Sequence, residues 1–180
     1  MDDSTLAPSQ ADETDATTRP AEACALPGGS SSAPPLADQP TWQSPDDDTE
    51  RRILRQASSI AIVGASPRPD RPSHGVGEYL QRTGDYRVYF VNPRADTILG
   101  EKAYPDLASL PEVPDIVDVF RRADDLQPVI DEAIAVGAGV VWVQLGIWNQ
   151  AAAESAEAAG LTVVMDRCLT LVLARLLGGS

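Results

Sequence analysis

Several residue types and patterns are scarce in this sequence, and each shortage excludes a class of protein. The two cysteines, Cys24 and Cys168, are too few and too far apart for the disulfide framework of a small secreted domain. No apolar run approaches the roughly 18 residues of a membrane span, and the first residues lack the basic and apolar regions of a secretory signal. With one histidine and no Cys-x-x-Cys pair, no metal site is indicated. We therefore expect a protein of the reducing cytoplasm, with no membrane partner.

Positive charge is also scarce, and the excess of negative charge is unevenly distributed. The net charge is −13, and residues 1–50 carry eleven Asp or Glu but a single Arg. The remaining 130 residues are only mildly acidic, with sixteen Asp or Glu against thirteen Lys or Arg. Nucleic-acid backbones favour basic surfaces, so we expect no nucleic-acid partner.

The N-terminal part of the chain lacks the pattern of a packed domain. Residues 1–47 contain seven prolines and almost no periodic apolar residues, so they cannot bury enough apolar area to offset the entropy of ordering. They are predicted to be a disordered acidic tail, either solvating or regulatory, followed by one domain over residues 48–180. Trp42 is the one large apolar residue in this tail, and nothing beyond its size indicates that it docks on the domain.

From residue 48 onwards, apolar runs alternate with amphipathic segments, which predicts an α/β fold. A short lead-in helix over Thr49–Gln56 is followed by β–α–β crossovers long enough to be right-handed. The pattern is typical of a Rossmann-like, doubly wound parallel sheet of about five strands. The predicted strands are Ser59–Val63, Arg87–Val91, Ile116–Phe120, Val140–Gln144 and Leu161–Met165. The predicted helices are Ser73–Arg82, Asp124–Val136 and Asn149–Ala159, with a short helix or turn over Asp106–Leu110 and an apolar ending over Leu169–Leu177.

The loop after the first strand carries the strongest functional signal. Gly64 permits a tight turn, and a helix starting near Ser73 would present free N–H groups and a positive dipole end to a phosphate. Ser66, Arg68 and Arg71 add donors nearby, and Gly75 and Gly77 allow close approach of a ligand or of the sheet. The loop is neither Gly-x-Gly-x-x-Gly nor a P-loop, which excludes the standard NAD and P-loop fingerprints. A long surface turn is the alternative interpretation.

The ends of the next two strands narrow the choice of nucleotide. NAD-binding domains usually place an acid after the second strand, whereas this chain has Asn92-Pro93-Arg94. A neutral amide followed by a cation suits a ribose that carries a phosphate, as in coenzyme A or NADP. A plain strand-ending turn is the alternative interpretation of Asn92-Pro93. Arg121 and Arg122 follow the third strand, and because adjacent side chains diverge, only one is expected to face a ligand.

A set of motifs in fixed order makes the sequence resemble a known family. They include Ile62-Val63-Gly64-Ala65-Ser66, Asp70-Arg71-Pro72-Ser73, Phe90-Val91-Asn92-Pro93, Tyr104-Pro105-Asp106-Leu107, Asp115 to Arg122, Gln144-Leu145-Gly146 and Met165-Asp166-Arg167-Cys168. From about Arg52 to Cys168 the chain resembles the small bacterial and archaeal CoA-binding proteins, stand-alone relatives of the N-terminal domain of the succinyl-CoA synthetase α subunit. The resemblance implies a CoA-binding Rossmann fold, often without known catalytic activity. The residues then expected to bind the cofactor are Gly64, Ala65, Ser66, Arg71, Pro72, Ser73, Gly75, Val76, Asn92, Pro93, Arg94, Phe120, Arg121, Arg122, Gln144, Gly146, Arg167 and Cys168.

Catalytic residues are harder to assemble from the sequence. Cys168 follows the fifth strand beside Arg167, which would favour a thiolate able to exchange with the pantetheine sulfur, although a small buried cysteine is the simpler interpretation. His74 lies in the phosphate loop, and no nucleophile–base–acid set is evident. We therefore expect a coenzyme A-binding module without catalysis, acting as a sensor, carrier or partner. An NADP oxidoreductase, an acyl-CoA ligase component and a vestigial site are the alternatives, and a homo-oligomer or a protein partner is left open.

Overall fold

The domain begins with a helix whose start is set by an aspartate. The computed structural model describes residues 42–178, and its first helix, α1, spans Asp47–Gln56. The Asp46 carboxylate accepts a hydrogen bond from the Thr49 backbone N–H at 2.9 Å, which satisfies one of the unpaired donors of the first turn. Ile53 and Leu54 turn inwards and are buried. The predicted lead-in helix is confirmed, and it starts two residues earlier than expected.

A seven-stranded sheet forms the centre of the domain. The strands are β1 Ser59–Val63, β2 Arg87–Val91, β3 Thr97–Ile98, β4 Glu101–Tyr104, β5 Ile116–Val119, β6 Val140–Val143 and β7 Thr162–Val164. Their order in the sheet is β3-β4-β2-β1-β5-β6-β7, and every neighbouring pair is parallel except β3 with β4. The chain therefore winds outwards from β1 in one direction and then from β5 in the other, which is the Rossmann-like doubly wound topology predicted from the sequence.

Two of these strands were not expected from the sequence. β3 and β4 form a short hairpin in which Ile98 pairs with Glu101. The two residues between them, Leu99 and Gly100, both have positive φ, at 51° and 81°, as a two-residue hairpin turn requires. Strands of two and four residues are too short to show a clear alternation, and a leucine rarely adopts positive φ, so the sequence carries little signal for this turn.

Helices cover both faces of the sheet and bury two apolar cores. The helices after α1 are α2 Pro72–Thr83, α3 Leu126–Val136, α4 Gln150–Ala158 and α5 Leu169–Leu176, with 3-10 turns at Leu107–Ser109 and Ala123–Asp125. The last of them is the apolar ending predicted from the sequence. One core, which includes Val117, Val141 and Ile130, lies beneath α3 and α4, and the other, which includes Ile62, Trp142 and Leu80, lies beneath α1, α2 and α5. Gly84 and Gly137 end α2 and α3 in the left-handed conformation, as expected for C-terminal caps.

The packed part of the chain starts earlier than the predicted boundary near residue 47. Trp42 is 7 % exposed and joins the core beneath α3 and α4, with its ring centroid 5.4 Å from that of Trp148 in an edge-on contact. The Ser44 hydroxyl accepts a hydrogen bond from the Met165 N–H at 2.8 Å and donates to the Met165 carbonyl at 2.9 Å. Residues 42–47 therefore pack on the domain. The expected disordered tail is left with residues 1–41, which lie outside the described residues.

Replacing Ser44 is expected to destabilise the domain. Ser44→Ala leaves the Met165 backbone N–H and carbonyl without their side-chain partner, at a cost of about 1–2 kcal/mol of unfolding free energy. Chemical denaturation of the full chain measures this difference, with the exposed neighbour in Gln43→Ala as the control. Equal stability of the two variants would show that the Ser44 anchor contributes nothing.

The described helices are all short of what a bilayer requires. Over residues 42–178, none is long and apolar enough to cross a membrane.

Candidate functional site

A pocket opens where the winding direction of the sheet reverses. The strand β1 lies between β2 and β5, and the crossover helices that follow β1 and β5, α2 and α3, pack on opposite faces of the sheet. The loops leaving β1 and β5 therefore separate and leave a crevice at the carboxyl ends of the strands. The pocket in this crevice has a volume of about 400 Å³. Its lining consists of Gly64, Ala65, Ser66, Arg71, Pro72, Ser73, Asn92, Pro93, Arg94, Phe120 and Arg121.

Gly64 is required at the floor of this pocket for two reasons. Its φ of +85° lies in the left-handed region, and a Cβ at this position would lie 2.6 Å from the Phe120 carbonyl oxygen. The backbone is held there by hydrogen bonds from the Gly64 N–H to the Val91 carbonyl at 3.1 Å and from the Phe120 N–H to the Val63 carbonyl at 2.9 Å. The glycine thus brings the ends of β1, β2 and β5 together and leaves room above them.

The start of α2 forms one wall of the pocket. Arg71 is its N-cap residue and makes no side-chain capping bond, Pro72 occupies the first turn, and Ser73 lines the pocket beside them. A helix N-terminus without a side-chain cap favours an anionic ligand. The His74 ring nitrogen Nδ1 lies 3.1 Å from the Ser66 carbonyl oxygen, so the one histidine fastens the loop to the helix that follows it.

Asn92 ties the second strand to the first loop. Its amide nitrogen donates to the Ala65 carbonyl at 2.7 Å, and its amide oxygen accepts from the Arg94 backbone N–H at 2.8 Å. Both functions of the amide are thus used within the protein, although Asn92 also lines the pocket. Its role in the structure is to hold the loop and the Pro93-Arg94 turn in place.

Three arginines give the pocket a positive charge. Arg71, Arg94 and Arg121 line it, no Asp or Glu does, and none of the three forms a salt bridge to another residue in the 42–178 range. Arg122 lies outside the lining, as expected for one of two adjacent arginines. Arg68 also lies outside it, with its guanidinium 3.0 and 2.8 Å from the Asp70 carboxylate. That pairing lowers the pKa of the Asp70 carboxyl group.

Two residues of α2 that were expected at the site lie outside the pocket lining. Val76 is fully buried among the apolar residues between the sheet and α2, and Gly75 is half-buried in the first turns of the helix. Gly77 serves packing, since a Cβ there would lie 2.6 Å from the Phe90 ring. Gly77 therefore allows the sheet, rather than a ligand, to lie close to α2.

The loops after β6 and β7 lie beyond the pocket. The Gly146 N–H donates to the Asp166 carboxylate at 2.7 Å, which joins the two loops, and Asp166 has a positive φ of 55°. The Arg167 guanidinium lies 3.5 Å from the buried Glu50 carboxylate of α1, so its charge has a partner that the sequence did not reveal. Burial raises the pKa of Glu50, and the neighbouring arginines oppose that rise.

Cys168 is part of the core. It is 3 % exposed, and its sulfur is disulfide-bonded and lies 3.3 Å from the Thr170 hydroxyl oxygen. The other cysteine of the chain, Cys24, lies outside the described residues. The thiolate that the sequence suggested beside Arg167 is therefore not present in this structure.

A buried carboxyl group near the end of β5 was not among the expected site residues. Asp118 is 0 % exposed; its Oδ1 accepts a hydrogen bond from the Gln144 amide at 2.6 Å, and its Oδ2 has no hydrogen-bond partner. Burial raises the pKa of Asp118 to about 7, against the opposing effect of the Gln144 hydrogen bond. The sequence signal was one acid within an otherwise apolar strand, Ile116–Val119.

Asp118 is expected to make the stability of the domain depend on pH. Its pKa is higher in the folded chain than in the unfolded one, so the folded state binds the extra proton between about pH 4 and 7 and stability falls as pH rises through that window. The contribution of this group approaches about 1.4 kcal/mol per pH unit there. Asp118→Asn is expected to flatten the slope, as measured by denaturation at several pH values. An unchanged slope would show that Asp118 does not titrate in this range.

The fold and the pocket together define a class of protein. A Rossmann-type sheet with a glycine turn, a helix N-terminus and three arginines at its switch point is the arrangement that is typical of nucleotide-binding domains. Residues 58–174 match the family model described as a CoA binding domain, and the chain belongs to this family.

Small stand-alone proteins of this kind resemble the chain along most of their length. The uncharacterized protein YneT of Bacillus subtilis strain 168 is 40 % identical over 127 residues, which cover 71 % of this chain and 93 % of YneT. The solved structure of a hypothetical protein from Pyrococcus horikoshii OT3 has 40 % identity and a TM-score of 0.71, and the match covers 74 % of this chain and 94 % of that protein.

A larger enzyme resembles this chain over about half of the chain's length. The ADP-forming acetate–CoA ligase II of Archaeoglobus fulgidus is 32 % identical over 97 residues, which are 53 % of this chain but 14 % of the ligase. The relationship to CoA ligases that the sequence suggested through succinyl-CoA synthetase is therefore seen here with an acetate–CoA ligase.

Proposed function

We propose that this protein binds coenzyme A, with the phosphates of the cofactor in the pocket between β1, β2 and β5. The observation that carries the proposal is the set of three arginines, Arg71, Arg94 and Arg121, in a pocket that no acid of residues 42–178 lines. Cations held at such a crevice select a ligand with several phosphates. Membership of the CoA binding domain family supports coenzyme A as that ligand.

The surroundings of the arginines fit a diphosphate. The start of α2 supplies backbone N–H groups and the positive end of a helix dipole, and the absence of a side chain at Gly64 leaves the floor open. Arg94 follows β2, the position where a carboxylate would select an unphosphorylated ribose. We assign the diphosphate to the α2 wall and the 3′-phosphate to Arg94 and Arg121.

We propose further that the protein is a binding module without catalysis of its own. The one histidine is used to hold the loop, through its contact with Ser66, and Asn92 is used to hold the neighbouring turn. A role as the CoA-binding component of an acyl-CoA ligase is the second candidate. The resemblance to the acetate–CoA ligase supports it, and it requires partner subunits for nucleotide and acyl chemistry.

Coenzyme A is expected to bind at least about tenfold more tightly than 3′-dephospho-CoA. A charge-assisted contact to the 3′-phosphate contributes about 1.5–3 kcal/mol of binding free energy, which gives that ratio. Calorimetric titration of the full chain with the two ligands measures the ratio, and NADP serves as a control with its phosphate on the 2′ position. Equal affinities for coenzyme A and 3′-dephospho-CoA would contradict the assignment of the 3′-phosphate to Arg94 and Arg121.

A further inference from the structure

Three exposed apolar side chains lie at the carboxyl edge of the sheet, the edge where the pocket opens. Leu145 and Trp148, in the loop after β6, are 44 % and 37 % exposed, and Leu171, in the first turn of the helix after β7, is 37 % exposed. The other large apolar side chain exposed in residues 42–178, Val113, precedes β5 and lies at the opposite edge. Apolar area exposed at the edge that holds a pocket indicates a surface that part of a ligand covers. We call Leu145 and Trp148 the apolar shelf.

The topology makes the shelf a continuation of the pocket. The loops after β5 and β6 lead to α3 and α4 on one face of the sheet, whereas the loops after β1 and β7 lead to α2 and α5 on the other face. The crevice that starts between β1 and β5 therefore continues over β5 and β6. The loops after β5 and β6 are also joined, because the Asn149 side-chain amide donates to the Ala123 carbonyl at 3.0 Å.

The shelf lies within reach of the pantetheine arm of coenzyme A. In the register of β5 with β6, Val119 lies opposite Val143, so Leu145 follows β6 at the level where Arg121 of the pocket follows β5. The strand β6 is two spacings, roughly 10 Å, from β1. With the 3′-phosphate near Arg94 after β2 and the diphosphate at the start of α2, the pantetheine arm leaves the pocket on the side of β5 and β6. The extended arm is longer than the distance to β6, so a group attached to its sulfur can contact the shelf.

The charges near the shelf differ from those in the pocket. In the neighbouring loop after β7, the Asp166 carboxylate accepts the Gly146 N–H at 2.7 Å, and the Arg167 guanidinium lies 3.5 Å from the Glu50 carboxylate. The three pocket arginines, by contrast, form no salt bridge within the described part of the chain. The pocket therefore favours anionic groups, and the shelf favours an apolar one.

We propose that the preferred ligand of this protein is a coenzyme A thioester with an apolar acyl chain, and that the chain lies on the apolar shelf formed by Leu145 and Trp148. This inference rests on the proposed function, because the phosphates of the thioester occupy the same pocket. The acyl chain removes the exposed leucine and tryptophan surface from water, a gain that free coenzyme A, which ends in a thiol, does not provide.

The test compares coenzyme A, acetyl-CoA and hexanoyl-CoA by calorimetric titration of the full chain. Hexanoyl-CoA is expected to bind about tenfold more tightly than coenzyme A, which corresponds to the burial of roughly two methylene groups. Acetyl-CoA, whose acyl group ends in a single methyl, is expected to bind within about threefold of coenzyme A. The measured quantity is the ratio of the hexanoyl-CoA and coenzyme A affinities, because a change in the pocket that affects both ligands cancels in it.

Substitutions at exposed apolar positions locate the acyl chain. Leu145→Ser is expected to lower the ratio to about threefold or less, and Leu145→Met, which keeps an apolar side chain of similar volume, should retain it within about twofold. The matched control is Val113→Ser, which removes an exposed apolar side chain at the opposite edge of the sheet and should leave the ratio unchanged.

The possible results separate this proposal from the proposed function. Equal affinities of the unmodified chain for hexanoyl-CoA and coenzyme A would overturn the acyl preference while leaving coenzyme A binding intact. A ratio that Leu145→Ser leaves unchanged, or that Val113→Ser lowers equally, would contradict the placement of the acyl chain on the shelf. If the unmodified chain binds none of the three ligands, the proposed function itself fails. Sedimentation tests a second copy of the chain as the occupant: a dimer that Leu145→Ser abolishes would assign the shelf to self-association and overturn the proposal.

Discussion

Arg121→Ala is expected to weaken coenzyme A binding by about tenfold to a hundredfold. Arg121 lines the pocket at the end of β5 and forms no salt bridge within residues 42–178, so its guanidinium is available to a phosphate. Truncating such a donor costs about 1.5–3 kcal/mol of binding free energy. Arg121→Lys should recover part of the loss, because a lysine keeps the charge but not the two-pronged geometry.

The neighbouring arginine provides a control for charge alone. Arg122→Ala removes the same unit of charge one residue away, outside the pocket lining, and is expected to change the affinity by less than about twofold. Isothermal titration of both variants with coenzyme A at one salt concentration makes the comparison. If the two substitutions weaken binding equally, the pocket does not hold the phosphates.

Gly64→Ala is expected to lower the unfolding free energy of the domain by about 3 kcal/mol or more. A positive φ costs an alanine about 1–2 kcal/mol. The added methyl group would also lie 2.6 Å from the Phe120 carbonyl oxygen, so the ends of β1 and β5 must separate. Because that movement reshapes the floor of the pocket, coenzyme A binding should be lost together with stability.

A substitution at a second glycine separates the cost of the positive φ from the cost of the steric contact. Gly137 has a φ of 80° at the end of α3, and a Cβ there would meet no atom within 4 Å. Gly137→Ala should therefore cost only about 1–2 kcal/mol, the conformational part alone. Denaturant titration of both variants gives the difference, which measures the close approach at Gly64. Equal losses would mean that β5 adjusts freely to a side chain at Gly64.

Much of this architecture follows from local sequence signals. β1 and β2 have the predicted bounds, because a buried parallel strand reads as an unbroken apolar run with a clear stop, at Gly64 and at Asn92-Pro93. The C-terminal ends of α2 at Gly84 and of α3 at Gly137 were also predicted correctly, because a glycine follows each apolar stripe. Every residue that lines the pocket was among those expected at the site, since the carboxyl ends of parallel strands converge at one edge.

What the sequence could not predict depends on contacts between distant residues. The burial of Trp42 depends on Trp148, more than a hundred residues away, and composition alone placed it in the tail. Glu50 is a helix residue with nothing local to indicate that it meets Arg167. The residues after β6 and β7, including Gln144 and Cys168, follow strands as the pocket residues do. Those strands lie one and two places beyond β5, and the residues that follow them do not line the pocket.

Calorimetric titration of the full chain with coenzyme A tests most directly whether the pocket between β1, β2 and β5 binds this cofactor. We predict saturable binding to one site per chain with a dissociation constant below about 0.1 mM, and a strong dependence on salt, as expected for arginine–phosphate contacts. The absence of saturable heat at millimolar coenzyme A, or binding that Arg121→Ala leaves unchanged, would contradict the account.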